Sequence, residues 1–113
     1  MVDQSSVLDQ TFGALADPTR RAILARLRTG PATVSQVAAP FDMSLNGTSK
    51  HVRVLERAGL VRREVHGRKH YLHLQAAPLE QAAAYAERYR TFWEARLDAL
   101  AAHVEARHKG ERE

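Results

Sequence analysis

Four side chains in one stretch, Asn46, Lys50, Arg53 and Arg57, are spaced i, i+4, i+7 and i+11 and therefore share one face of a helix. An amide beside three long cations is chemistry suited to the base edges and phosphates of a DNA groove. Ser44 is a candidate N-cap, its hydroxyl accepting from the first turn. Leu45, Val52 and Leu55 follow at helical spacing and are expected to face a core, and Gly59 is expected at the left-handed C′ position that ends the helix. The stretch from Met43 to Val61 thus reads as a helix with one apolar stripe for its own domain and one polar, cationic stripe for something else. Standing alone, such a row more often means a solvated charged face. Its surroundings change that balance.

Upstream, Thr33 to Ala39 reads as a short helix with Ser35 a candidate cap and Val34, Val37 and Ala38 as its apolar side. Pro40 stops it, and Phe41-Asp42-Met43 makes a tight connection to Ser44. Two short helices joined so closely have the spacing of a helix-turn-helix, expected over about 34–58. Downstream, Leu60 to Leu74 alternates like two strands, with Val61 and Val65 on one side of the first and Leu72 and Leu74 on one side of the second. His66-Gly67-Arg68-Lys69 closes them as a two-residue hairpin, with Gly67 where a type II′ turn needs a positive φ. The hairpin, expected over about 60–74, presents Arg68 and Lys69 at its tip, and the whole is a winged helix.

The stretch from Phe12 to about Leu74 resembles the ArsR family of bacterial winged-helix repressors. The residues that carry the resemblance are LADPTRRAIL (Leu15–Leu24), the PFDMS turn (Pro40–Ser44), SKHVRVLERAGLV (Ser49–Val61) and the GR wing tip (Gly67–Arg68). Many relatives have Pro-Ala or a similar pair where this chain has Asn46-Gly47. A helical glycine costs roughly 1 kcal/mol against alanine, and Gly47 is expected to let the backbone approach phosphate closely. The resemblance implies a homodimer formed through the first and last helices, and a DNA contact for His51 in its Ser-x-His arrangement.

The chain has 113 residues, which fits one compact domain over 1–113. Its net charge is +4, but the distribution matters more: Ser44 to Leu74 holds seven Lys and Arg against two Glu, more than the whole excess. A basic cluster on an identifiable motif is the electrostatic footprint of nucleic-acid binding. There is no cysteine, which excludes disulfides, thiol redox sensing and cysteine metal sites. The segment Met1–Ser6 has neither a basic region nor an apolar run, so no signal peptide is expected, and no apolar run is long enough to span a membrane. The expected location is the bacterial cytoplasm, at the nucleoid. The charged tail Lys109–Glu113 is expected to fray.

The flanking helices complete the body. Leu8, Phe12 and Leu15 mark a short first helix, and Asp17 caps a second with Pro18 at its first position. Ile23, Leu24 and Leu27 form the buried stripe of that second helix, and Gly30-Pro31 ends it. A long last helix is expected over about 79–107, with Leu79, Ala82, Ala86, Tyr89, Trp93, Leu97, Leu100 and Val104 at steps of three or four. A body this small cannot bury such a stripe, and the simplest partner is a second copy of the chain. The alternative is that the helix folds back as a cover. With Leu8 and Phe12 from the first helix, these residues are the expected dimer interface.

Metal sensing is the main competing function. In the resembling family one metal site uses cysteines on the third helix, which this chain lacks, and another uses Asp and His across paired last helices. Here Glu94, Asp98, His103, Glu105 and His108 lie on that helix, but His103 and His108 are about 140° apart round it and do not face one ion. No metal ligand and no cofactor is assigned, and the effector is unknown; a His/carboxylate site on the last helix stays as the alternative. His66, His70 and His73 in the wing read as solvent or phosphate contacts. An enzyme is disfavoured, because there is no glycine-rich phosphate loop, nucleophile motif or pair of carboxylates on an evident pocket. A protein-docking winged helix would leave the basic face unexplained. The expectation is therefore a mainly α protein with a small β-hairpin, in the order α-α-α-α-β-β-α, that binds double-stranded DNA as a homodimer. Asn46, Thr48, Lys50 and Arg53 are candidates for base-edge or nearby phosphate contact, and Ser44, Ser49, His51, Arg68 and Lys69 for phosphate.

Overall fold

The computed structural model describes residues 4–112, so Met1 to Asp3 of the N-terminal segment and Glu113 of the tail lie outside the described residues. The elements run α1 (Gln4–Leu15), α2 (Pro18–Leu27), β1 (Ala32–Thr33), α3 (Val34–Ala38), α4 (Leu45–Arg57), β2 (Val61–His66), β3 (Lys69–Leu74), α5 (Ala77–Glu87) and α6 (Arg90–Arg112). They fall into two compact units, one up to Ala82 and one from Ala83 onward.

Local signals start and stop most of these elements as the sequence predicts. Asp17 caps α2, accepting from the Arg20 N–H at 3.0 Å, and Pro18 occupies the first turn, where its missing N–H costs nothing. Ser44 caps α4, its hydroxyl accepting from the Gly47 N–H at 3.0 Å. At the other end of α4, Gly59 adopts φ +75°, the Leu60 N–H reaches back to the Leu55 carbonyl at 2.9 Å and the Gly59 N–H to Glu56 at 3.0 Å. This is a Schellman ending, and Leu55 and Leu60 are both fully buried in the same core. At α3 the cap is Thr33 rather than Ser35: Thr33 Oγ1 accepts from Gln36 N–H while the Gln36 side chain accepts from the Thr33 N–H, a reciprocal capping box.

The sheet has the order β1-β3-β2, all antiparallel. The two-residue β1 was not expected; Ala32 pairs with Leu72 and Thr33 with Tyr71, so the residue that caps α3 also ends a strand. The β2–β3 register pairs His66 with Lys69, leaving Gly67 and Arg68 as the turn, and Gly67 has φ +62° as a type II′ turn requires. The core of this unit gathers Ile23, Leu24 and Leu27 of α2, Val37 of α3, Val52 and Leu55 of α4, and Leu60, Val61 and Leu72 around the wing. Leu79, half-buried, packs against it and Ala82 is buried, so neither stands among the exposed apolar side chains of the expected interface stripe.

The expected single last helix is instead two. At Arg88 and Tyr89 the N–H groups bond three residues back, to Tyr85 and Ala86, and the α-helical pattern resumes with Trp93 N–H to Tyr89. A run of residues poor in helix propensity (Tyr89, Thr91, Phe92, Trp93) begins there, and Arg90 bridges Glu87 and Glu94 at 2.9 and 3.1 Å beside the joint. The helix α6 continues to Arg112, beyond the end near 107 expected for the last helix. It carries Trp93, Leu97, Leu100 and Val104 exposed, together with Phe92, which the sequence stripe omitted.

Replacing Leu55 with alanine is expected to lower the unfolding free energy by about 2–5 kcal/mol, the range for emptying a buried leucine site. Urea denaturation followed by circular dichroism checks it.

Candidate nucleic-acid interface

The helix α4 divides its circumference into four arcs. Thr48, Val52 and Leu55 are buried in the core. Asn46, Lys50, Arg53 and Arg57 are exposed and form the polar, cationic row the spacing predicts. Leu45 lies outside the core, 54% exposed, because the buried stripe runs through Thr48 in its place. Thr48 is fully buried and its Oγ1 has no hydrogen-bond partner among the described residues, so it sits on the packing side, not in the exposed row where a base contact was expected. Gly47 lies under the Met43 side chain: a Cβ there would come within 2.9 Å of Met43 Cγ. Its small size makes room for Met43, which the phosphate reading of Gly47 did not anticipate.

The two flanking arcs are tied to neighbouring elements. On one side, His51 turns toward the start of α2, with Nδ1 3.3 Å from Arg20 Nη1 and 3.8 Å from Asp17 Oδ2. As placed, His51 meets α2 rather than the surface where a phosphate contact was expected. The Asp17 carboxyl is held below the usual carboxylate range, chiefly by the Arg20 backbone N–H, with His51 and the Arg20 charge adding to it. On the other side, Glu56 takes two hydrogen bonds from Arg63 of β2, at 2.7 and 3.4 Å, and Arg63 Nη1 lies 3.1 Å from His70 Nδ1 of β3. One guanidinium therefore braces both wing strands against the last turn of α4.

The wing's other face holds a separate cluster. Glu64 meets His66 Nε2 at 2.9 Å and His73 Nε2 at 2.8 Å, with Arg62 at 3.8 Å, and its carboxyl is held below the usual range chiefly by the hydrogen bond with His66. The wing histidines thus have protein partners, Glu64 for two and Arg63 for the third; His66 is also exposed to solvent, as expected, while His70 and His73 are half-buried. Among the described residues no three His, Cys, Asp or Glu side chains are placed to hold a metal ion. No helix among them is long and apolar enough to cross a membrane.

Between α3, the first turns of α4 and the wing lies an open cleft of about 510 Å³. It brings together Ser49, Arg68 and Lys69 from the expected set. Gln36 and Tyr71 also line it, and sequence reasoning missed both. Gln36 reads locally only as a capping residue, and Tyr71 gains its place through the β1–β3 pairing. Ser44 is exposed at the α4 N-terminus.

The helix-turn-helix domain family matches residues 15–64 of the chain. The crystal structure of an ArsR family transcriptional regulator is 41% identical, covers 83% of this chain and 97% of that one, and superposes with a TM-score of 0.75. This chain belongs to the ArsR family of transcriptional regulators. The transcriptional repressor SdpR of Bacillus subtilis is 31% identical over 75 residues, 66% of this chain and 83% of SdpR. The HTH-type transcriptional regulator Rv2034 of Mycobacterium tuberculosis is 45% identical over 53 residues, 47% of this ArsR-family chain and half the length of Rv2034. The wing and helix-turn-helix of this ArsR-family member are thus the winged helix that the sequence indicated.

Thr48 offers a direct check on which arc faces outward. Thr48→Val keeps the shape and removes a buried, unpaired hydroxyl, a group whose desolvation costs about 1–3 kcal/mol. The variant is expected to gain stability within that range in chemical denaturation while its affinity for DNA stays at the wild-type value.

Proposed function

We propose that the chain is a DNA-binding transcriptional repressor that acts as a homodimer on an inverted-repeat operator, in the bacterial cytoplasm at the nucleoid, by binding and not by catalysis. The observation that carries this reading is the exposed row Asn46, Lys50, Arg53 and Arg57 on α4 beside a cleft lined by Ser49, Arg68 and Lys69. A helix of this kind fits the major groove, and a hairpin tip with two cations fits the adjacent backbone or minor groove. Two-fold symmetry asks for half-sites about one helical turn apart, or slightly more.

Reading and gripping fall to different residues in this proposal. Asn46, Lys50 and Arg53 face base edges or nearby phosphates, and Ser44, Ser49, Arg68 and Lys69 hold the backbone. Arg68→Ala is expected to weaken operator and scrambled duplex by similar factors and to shallow the salt slope by roughly 0.9 per protomer for one lost phosphate contact. Asn46→Ala or Arg53→Ala is expected to cost more on the operator, by about 1–3 kcal/mol where a good base contact is lost. Paired salt titrations measure both. Loss of operator preference in Arg68→Ala alone would make the wing the reader.

The dimer rests on exposed apolar side chains: Ala86 and Tyr89 at the α5–α6 joint, Trp93, Leu97, Leu100 and Val104 along α6, with Phe92 added, and Phe12 on α1 beside the half-buried Leu8. A large apolar side chain taken from water contributes about 1.5–3 kcal/mol, and a two-fold axis doubles each loss. Leu97→Glu is expected to dissociate the protein and abolish operator binding together. Analytical ultracentrifugation of the wild type at micromolar concentration is the test, and a monomer there would overturn the homodimer.

A further inference from the structure

The junction between α1 and α2 holds α4 through a contact that the DNA-facing residues do not use. Arg20 turns back onto the end of α1, donating from Nε to the Ala14 carbonyl at 2.7 Å and from Nη2 to the Gly13 carbonyl at 3.0 Å. Carbonyls in a last helical turn lack an i+4 partner, so the guanidinium completes α1. Its remaining nitrogen, Nη1, lies 3.3 Å from His51 Nδ1 in the middle of α4. A guanidinium only donates, so this contact is a hydrogen bond only while His51 Nδ1 keeps its lone pair. Asp17 Oδ2, at 3.8 Å from the same nitrogen, waits beyond hydrogen-bond reach. Asp17 and Arg20 are the charged groups facing His51 from α2; α1 presents the two carbonyls that Arg20 occupies. Gly47, Thr48, Val54 and Leu55, one turn away on α4, carry no charge.

We propose that Arg20 is a positioning residue for DNA reading: through the lone pair of His51 Nδ1 it refines the roll that core packing allows α4, and so the aim of Asn46, Lys50 and Arg53, and a proton on that nitrogen releases the tie. This rests on the reading of α4 as the helix that enters the groove. The lever is long enough to matter. Side-chain tips stand about 5–6 Å from a helix axis, so a roll of about 10° moves them by about 1 Å, more than the spread of hydrogen-bond lengths. A proton on Nδ1 turns the nitrogen from acceptor to donor, away from Arg20 and toward Asp17. Asp17 stays ionised when an imidazole titrates, because its carboxyl is held below the usual range. The same proton adds a positive charge to α4, which favours phosphate of any sequence. Operator and random DNA therefore respond differently to acid.

The experiment uses the full chain, a duplex selected from a random library by the wild-type protein, and its scrambled counterpart, with anisotropy titrations across the range where imidazole titrates. Between about pH 8 and about pH 6 the wild-type preference for the selected duplex is expected to fall by about tenfold while affinity for the scrambled duplex holds or rises. His51→Gln, neutral throughout, is expected to show a flat preference. Arg20→Gln is expected to lose about tenfold in preference already at the upper pH, within the range for a misplaced base contact, and to lose the pH response. Thermal melting separates this from instability, and should Arg20→Gln fail to fold, His51→Gln decides alone. A pH response that survives in His51→Gln, or a wild-type preference with no pH response, overturns the proposal and leaves the DNA-binding function standing. A wild-type chain that selects no duplex above the scrambled background overturns both.

Discussion

A helix can offer to DNA only the part of its circumference that its own domain does not need, and here the burial of Val52 and Leu55 settles which part that is. Both are fully buried among the side chains of α2, α3 and the wing. Each such side chain contributes about 1.5–3 kcal/mol, whereas a partly exposed ion pair contributes about 0–1 kcal/mol. Apolar packing therefore places α4, and the polar ties at Glu56 and His51 refine a position already chosen. The Schellman ending extends the same constraint forward: Leu60 is pinned in the core three residues after α4 stops, so the wing leaves the helix along a fixed path. The exposed row and the cationic tip take their places from that one packing decision.

Features encoded within a few residues were legible in the sequence. The Asp17-Pro18 start of α2, the Gly59 ending of α4 and the Gly67 turn each follow from the backbone conformation that those residues favour. The exposed row Asn46, Lys50, Arg53 and Arg57 was equally legible, since helical spacing alone defines it. What depended on partners distant in the chain was not. The strand β1 exists only because Leu72 and Tyr71 lie beside it. Hydropathy favours Leu45 over Thr48 for the interior, but the position of the core relative to α4 reverses them. His51 shares a helix with the cations, and only the fold brings Arg20 to its ring. The joint at Arg88–Tyr89 interrupts a stripe whose spacing carries on regardless, so periodicity could not show it.

The charge of the helix-turn-helix and wing also means something different once partners are known. Arg63 is engaged by Glu56 and His70, and Arg62 lies near Glu64. Lys50, Arg53, Arg57, Arg68 and Lys69 are the exposed remainder. The basic excess of the segment thus divides into Arg63, which ties the wing to α4, Arg62, which pairs within β2, and five cations turned to solvent that dominate attraction at a distance.

The four exposed polar side chains of α4 contribute nothing to the buried core, so exchanging them leaves the folding free energy almost untouched. Copies of such a gene can accumulate changes at positions 46, 50, 53 and 57 without crossing the stability threshold that removes most variants. On the proposed reading of α4, drift in target preference is thereby uncoupled from drift in structure. The outward arc of one helix is the part of this scaffold on which a lineage of regulators can diversify, while Val52, Leu55, Gly59 and Leu60 stay where the fold requires them.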